Sequence, residues 1–237
     1  NIEESLKELF PEFISKRMDY DTTRRKYAHQ QIITDFEQGR IDILVGTQMV
    51  TKGLDFDNVA LVGVLNADNM LHFPDFRAYE RAFQLLMQVA GRAGRKGEQG
   101  NVMIQTYNEE NEMFALLKAN DYLSFIQKQL EERKTFNYPP YNRLIGITLK
   151  HKDQRKLDDA ALQLVVQMHK SFENRVLGPE YPVIARIRNY YHKNVLLKIE
   201  QKGSVIEAKN ILQTIINSMQ NHSDFKSVRF MIDVDPF

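Results

Sequence analysis

Apolar positions along the first hundred residues switch repeatedly between a helical and an extended spacing. Ile2, Leu6, Leu9 and Phe10 recur at near-helical intervals behind an acidic first turn, and Pro11 ends that segment. Phe13 to Asp19 alternates loosely, as a strand does. Asp21, Thr22 and Thr23 offer side-chain oxygens to cap a helix predicted over Arg25 to Gln38, which stops at Gly39. Asp42 to Thr47 and Val59 to Leu65 are compact apolar runs of the kind that form buried parallel strands. Pro74-Asp75 predicts the start of a helix with a stripe of Phe76, Tyr79, Phe83, Leu86 and Ala90, and Gly100 to Thr106 reads as the next strand. Strands alternating with helices predict a parallel sheet covered on both faces.

Asn111 to Phe136 is helical in pattern, broken near Asn120-Asp121, and Pro139-Pro140 stops any continuation. Beyond it the order changes. Leu144 to Lys150 alternates as a strand, Gln154 to Asn174 is helical, Val183 to Arg188 and Val195 to Glu200 are strand-like, Val205 to Gln220 is helical, and Val228 to Val234 closes with a strand. This β-α-β-β-α-β order predicts a small α+β domain, a split βαβ with two helices on an antiparallel sheet. The expected division is therefore an α/β lobe over 1–136 and the α+β domain over 137–237.

Composition changes this picture in three ways. With 43% hydrophobic residues among 237, each half can bury a core. No apolar run approaches the roughly 20 residues of a membrane span, so a cytoplasmic protein without membrane contact is expected. There is no cysteine, and the six histidines show no ligand spacing, so no metal site is expected within the chain. The net charge of +1 conceals an asymmetry: residues 1–136 carry 17 Lys/Arg against 21 Asp/Glu, and residues 137–237 carry 15 against 10. A surplus of that size is compatible both with nucleic acid and with ordinary solvated charge.

The candidate chemistry gathers in two motifs of the first half. Gln88-Val89-Ala90-Gly91-Arg92-Ala93-Gly94-Arg95 follows an amphipathic segment and sets two arginines among residues small enough to admit a phosphate. If the helix ran through it, Gln88, Arg92 and Arg95 would share one face, and forked guanidiniums suit the charge that builds on a transferring phosphoryl group. An exposed basic helix end is the alternative for an isolated Arg-x-x-Arg. Upstream stands Ile43-Leu44-Val45-Gly46-Thr47-Gln48-Met49-Val50-Thr51-Lys52-Gly53-Leu54-Asp55-Phe56. Ligands of open α/β sheets bind beyond the carboxyl ends of strands, where Gly46-Thr47 falls. Thr47, Gln48 and Lys52 are candidates for nucleic-acid phosphate, and Gly53 permits close approach. Thr22, Arg24 and Arg25 could grip the DNA backbone from a helix N-terminus, or form a solvated first turn. Arg77, Glu80 and Arg81 fit an intrahelical ion-pair lattice. In the second half, Arg186, Arg188, Tyr190 and Lys193 interleave cations with an aromatic ring, a pattern suited to single-stranded contact and also to a plain hairpin tip.

Together the two motifs resemble motifs V and VI of superfamily 2 helicases. Asp21-Thr22-Thr23-Arg24-Arg25-Lys26, Pro74-Asp75-Phe76-Arg77, Tyr138-Pro139-Pro140-Tyr141, Leu177-Gly178-Pro179 and Asp233-Val234-Asp235-Pro236 extend that resemblance to one branch, the bacterial replication-restart helicases of the PriA (primosomal protein N-prime) family. The resemblance implies a RecA-like second helicase lobe followed by a DNA- and partner-binding domain, as the carboxyl-terminal part of a 3′ to 5′ DNA helicase that recognises stalled forks. It implies Arg92 and Arg95 as the catalytic arginines, with Gly53, Asp55 and Gln88 near ATP. It also implies Mg²⁺ and ATP held mainly by another lobe, and Zn²⁺ bound upstream of Asn1. The implied partners are forked and single-stranded DNA, single-strand-binding protein and other primosome proteins. Leu54 departs from relatives with a polar residue at that place. No phosphate loop of the Gly-x-x-x-x-Gly-Lys-Ser/Thr type occurs in the chain, which alone should not hydrolyse ATP. A different nucleic-acid motor, such as one acting on RNA, and a non-catalytic nucleic-acid-binding scaffold are the rival readings.

Overall fold

The structure is a computed structural model that describes residues 2–19, 28–46, 59–91 and 100–236. Two compact units divide at Gln127 and Lys128. In the first, α1 (Ile2–Leu9) precedes β1 (Ser15–Met18), α2 (Ala28–Glu37) and β2 (Ile43–Gly46). Gly39 lies just past α2 at φ +71°, the left-handed conformation that ends helices most readily at glycine. β1 and β2 pair in parallel, Ser15 opposite Ile43 through Met18 opposite Gly46. Met18, Ile32, Ile33 and Ile41 form the cluster beneath them.

β3 (Leu61–Val64) and β4 (Asn101–Ile104) make a second parallel pair. The described residues thus show the expected parallel pairing as two separate pairs. Between these strands lie α3 (Asp68–Leu71) and α4 (Ala78–Ala90), and after β4 come α5 (Glu112–Lys118) and α6 (Tyr122–Thr135). α4 starts later than its sequence suggests, because the Asp75 carboxylate accepts from the Arg77 N–H at 2.8 Å and pairs with Arg81 at 2.8 Å, holding a turn before the helix. Its buried stripe is Ala78, Ala82, Phe83, Leu86 and Val89. Phe83 stacks on Phe125 of α6, with ring centroids 4.1 Å apart. The break between α5 and α6 falls where expected: Asn120 takes φ +55°, and Asp121 accepts from the Ser124 N–H at 3.0 Å.

The second unit contains β5 (Asn142–His151), α7 (Gln154–Phe172), β6 (Val176–Glu180), β7 (Arg186–Ile187), β8 (Tyr190–Glu200), α8 (Val205–Asn221) and β9 (Arg229–Val234). The sheet order is β6-β8-β5-β9 with antiparallel neighbours, and β7 pairs with β8. This is the expected split βαβ arrangement. Asp153 and Ser204 cap α7 and α8 by accepting from the N–H groups of Lys156 and Glu207. Ile145, Ile147 and Leu149 of β5 and Val195, Leu197 and Ile199 of β8 turn to the helices, meeting Leu157, Leu164 and Met168 of α7 and Leu212, Ile216 and Met219 of α8.

Besides α4, the strands between the two helices of this unit depart from the sequence reading, and β8 begins at Tyr190, ahead of the expected Val195. The second strand of the motif is β6, and the expected strand from Val183 shrinks to Arg186–Ile187, with Val183 and Ile184 exposed. β6 is masked in sequence by Gly178-Pro179. Gly178 holds φ +100°, and a Cβ there would lie 2.8 Å from the Asn194 carbonyl, so the close approach of β6 to β8 requires glycine.

Candidate nucleic-acid interface

Most motif residues of the first unit lie outside the described residues: Thr22, Arg24 and Arg25; Thr47, Gln48, Lys52, Gly53 and Asp55; and Arg92 and Arg95. Their approaches are described. β2 ends at Gly46, immediately before Thr47. α4 carries Gln88 on its last turn, exposed beside buried Val89, and Gly91 follows the helix end at Ala90. Nearby polar groups serve the fold. Buried Asp68 accepts from the Tyr107 N–H at 3.0 Å and the Thr106 hydroxyl at 2.9 Å, and the first of these bonds chiefly holds its carboxyl below the usual range. Arg81 pairs with Asp75 instead of Glu80, which accepts from Gln84. His72 is an exposed residue ending α3.

In the second unit, Arg186 to Lys193 forms a hairpin of β7 and β8 joined by Arg188-Asn189, both at positive φ, +47° and +65°. Two such residues make the turn whose twist suits a two-residue hairpin. Alternation along β8 then separates the four candidates. Tyr191 and Lys193 face the helices: Tyr191 packs on the core, and Lys193 Nζ bonds Asp158 of α7 at 2.7 Å and lies 4.6 Å from the Tyr181 ring centroid. Burial pushes the Asp158 carboxyl up, but hydrogen bonds from Lys193 and Tyr181 outweigh it and leave the group below its ordinary value. Lys193 therefore already has an anion. Arg186 reaches the Tyr191 ring, 5.0 Å to its centroid, and donates to Asn189 at 3.3 Å. Arg188 stands exposed at the tip.

Tyr190 is on the opposite, helix-free face of the sheet. Its ring has Lys152 Nζ at 5.7 Å and Arg229 Cζ at 5.4 Å from the centroid, close enough for cation–π attraction. Register places His192 and Arg229 directly opposite Lys150 from its two sides, making a cross-strand row on that face. At the β9 edge, a shallow hollow of about 700 Å³ is lined by Lys150, Gln220 of α8 and residues 226–231. Lys150, Lys152, His192, Lys226 and Arg229 were not legible in the sequence as a group, because strand pairing brings them together from three separate segments.

The other end of this face is covered by the unit's own chain. Lys198 Nζ donates to the Phe136 carbonyl at 2.7 Å beneath the Tyr138 ring, and Gln201 donates to the Pro140 carbonyl at 2.8 Å. Burial lowers the Lys198 amine below its ordinary value. Pro236 lies over Gly146, 3.3 Å from where a Cβ would stand.

Among the described residues no helix is long and apolar enough to cross a membrane, and no cluster of metal-ligating side chains occurs. Residues 2–97 match the helicase conserved C-terminal domain, and residues 134–237 match the primosomal protein N C-terminal domain. The chain is 40% identical over its whole length to the replication restart protein PriA of Bacillus subtilis, and 39% identical over 99% of its length to that of Synechocystis. With PriA of Treponema pallidum it shares 42% identity over 83% of the chain. It spans 29%, 28% and 30% of these three relatives, less than a third of each. Two domain models in tandem, and alignment to proteins of one name across nearly every residue, place the chain in the PriA replication restart family.

Proposed function

We propose that the chain forms the second motor lobe (1–136) and the DNA- and partner-binding domain (137–237) of an ATP-dependent 3′ to 5′ DNA helicase, which recognises stalled forks and promotes primosome assembly. The observation that carries this reading is the tandem match of a helicase domain and a primosomal domain within one chain. The residues available fit a nucleotide approached from outside: Gln88 is exposed on the last turn of α4, four positions before Arg92. When bound, ATP would supply a phosphoryl transfer that depends on lobe closure, and its phosphates and Mg²⁺ belong with a phosphate loop that this sequence lacks. The part of this chain is to present Arg92 and Arg95 to the developing charge, with Gly53, Asp55 and Gln88 alongside. The chain alone is inactive in hydrolysis. Thr47, Gln48 and Lys52, with Thr22, Arg24 and Arg25, grip the DNA backbone. Forked and single-stranded DNA, single-strand-binding protein and other primosome proteins are the partners, and the cytoplasm is the location.

Arg92→Ala and Arg95→Ala in the full-length protein test this reading. Fork-stimulated ATPase is expected to fall by about 10³-fold or more with DNA affinity retained. Intact turnover with weakened DNA binding would instead mean a scaffold whose arginines hold nucleic acid. Stimulation by RNA and none by forked DNA would mean a different motor.

A further inference from the structure

We propose that the uncovered end of the helix-free sheet face, where β5 ends and β8 and β9 begin, is a platform for single-stranded nucleic acid: Lys150, Arg229 and Lys226 take phosphates, and Tyr190 receives a base. This rests on the reading above only in taking nucleic acid as the ligand. The first observation is the row His192, Lys150, Arg229, in which the two permanent cations lie directly opposite across adjacent strands. Like charges so placed destabilise a sheet. Among the described residues no carboxylate forms an ion pair with Lys150, Lys152, Lys226 or Arg229, although Lys193 on the other face of β8 has Asp158. A charge arrangement that opposes folding and has no internal counter-ion fits an external anion.

The second observation is how the chain covers this face. Tyr138 and Pro236 lie over the end holding Lys198 and Gly146. The end holding Lys150 and Arg229 opens instead onto the hollow at the β9 edge, which Gln220 of α8 and Phe230 also line. The third is the ring itself. Lys152 Nζ and Arg229 Cζ lie over the Tyr190 ring, 5.7 and 5.4 Å from its centroid, so a base that takes a ring face would displace a cation toward the adjoining phosphate. Stacking needs an unpaired base, which favours a single strand over a duplex, and sheet faces with aromatic residues bind unpaired bases in this way. An acidic peptide would use the cations and leave the ring without a role.

The test uses the 237-residue chain and a fluorescein-labelled oligothymidylate followed by anisotropy. Lys150→Gln with Arg229→Gln is expected to weaken binding at least tenfold and to reduce the slope of log affinity against log salt by about 1.4, at ~0.7 per single-strand phosphate. The same double variant is expected to resist urea as well as the parent or better, because the opposed charges are gone. Tyr190→Ala should weaken binding about tenfold while Tyr190→Phe does not. A control that removes two cations from the helix side, Lys156→Gln with Lys170→Gln, should stay within about twofold of the parent, since both lie on α7, away from the helix-free face. In the unaltered chain, photocrosslinking to 5-iodouracil oligonucleotide should label Tyr190 or residues 226–231. Crosslinks confined to the first unit, equal losses in the control, or an acidic peptide that displaces the oligonucleotide and binds Tyr190→Ala undiminished would each overturn the proposal. The Arg92 and Arg95 ATPase assay does not read this face, so either idea can fail alone.

Discussion

The two units keep their chemistry in different forms. In the first, the candidate residues are contiguous in sequence: Thr47 to Asp55 come after one strand, and Gln88 to Arg95 start on the last turn of one helix. In the second, Lys150, Tyr190, His192 and Arg229 are brought to one face by antiparallel pairing across three strands. Their packing differs in parallel. The described residues of the first unit bury two separate clusters, one around Met18 and one around Phe83, whereas both helices and the sheet of the second share a single core. A contiguous motif needs only its own strand or helix end to be correct. A site assembled across a sheet exists only while register holds, because a one-residue slip would send Lys150 to the helix side.

The sharpest way to break that comparison is at the cores. Phe83→Ala removes a side chain with no solvent exposure that is stacked on Phe125, and is expected to cost about 3–5 kcal/mol. Leu197→Ala, in the strand that carries the hairpin, is expected to cost about 2–5 kcal/mol and to weaken oligonucleotide binding as the sheet loosens. Urea unfolding measures both. A cost below about 1 kcal/mol at Phe83 would mean that the cluster around it adds little to stability.

Legibility follows the same division. The elements of the first unit were readable to within a few residues because each announces itself locally: Gly39 ends α2, and Asn120-Asp121 separates α5 from α6. The start of α4 was misplaced because Phe76 and Tyr79 continue its apolar stripe by spacing alone, while the Asp75 carboxylate holds the preceding turn. In the second unit the β-α-β-β-α-β order was readable, but Gly178 hid β6, and the exposed apolar pair Val183-Ile184 imitated a strand. The hairpin residues were legible as a set of types; which face each occupies was not. Tyr190 and Lys193 differ by three positions, so strand alternation sends them to opposite sides.

Lys193 gives a smaller test of that alternation. Lys193→Met removes the amine that bonds Asp158, and a charge-assisted bond is worth about 1.5–3 kcal/mol. With Asp158 35% exposed, solvent screening reduces the expected loss to about 1 kcal/mol. The folded Asp158 carboxyl lies below its unfolded value of about 3.9, so its stabilisation is present above that pH and fades as pH falls through the folded value. The difference between variant and parent should therefore be full at pH 7 and vanish in acid. Oligonucleotide affinity should stay within about twofold, since this amine already holds a carboxylate. A larger loss of affinity at unchanged stability would return Lys193 to the DNA-binding set.

The smallest expected effect concerns the tip. Arg188 adopts φ +47°, a conformation that costs a residue with a Cβ roughly 1 kcal/mol and that asparagine tolerates better. Arg188→Asn should thus raise stability by about 0.5–1 kcal/mol, read as a higher urea midpoint with unchanged slope. If Arg188 also meets a phosphate, the variant should bind oligothymidylate about threefold more weakly, with the salt slope reduced by ~0.7. A gain in stability with no change in salt slope would detach the hairpin tip from nucleic acid and leave the interface to the sheet face, on Tyr190 and the cations of β5 and β9. An arginine kept in an unfavourable conformation at no benefit to binding would then need a partner other than a nucleic-acid strand, whereas the paired change of both readouts would mark the tip as an extension of the same surface.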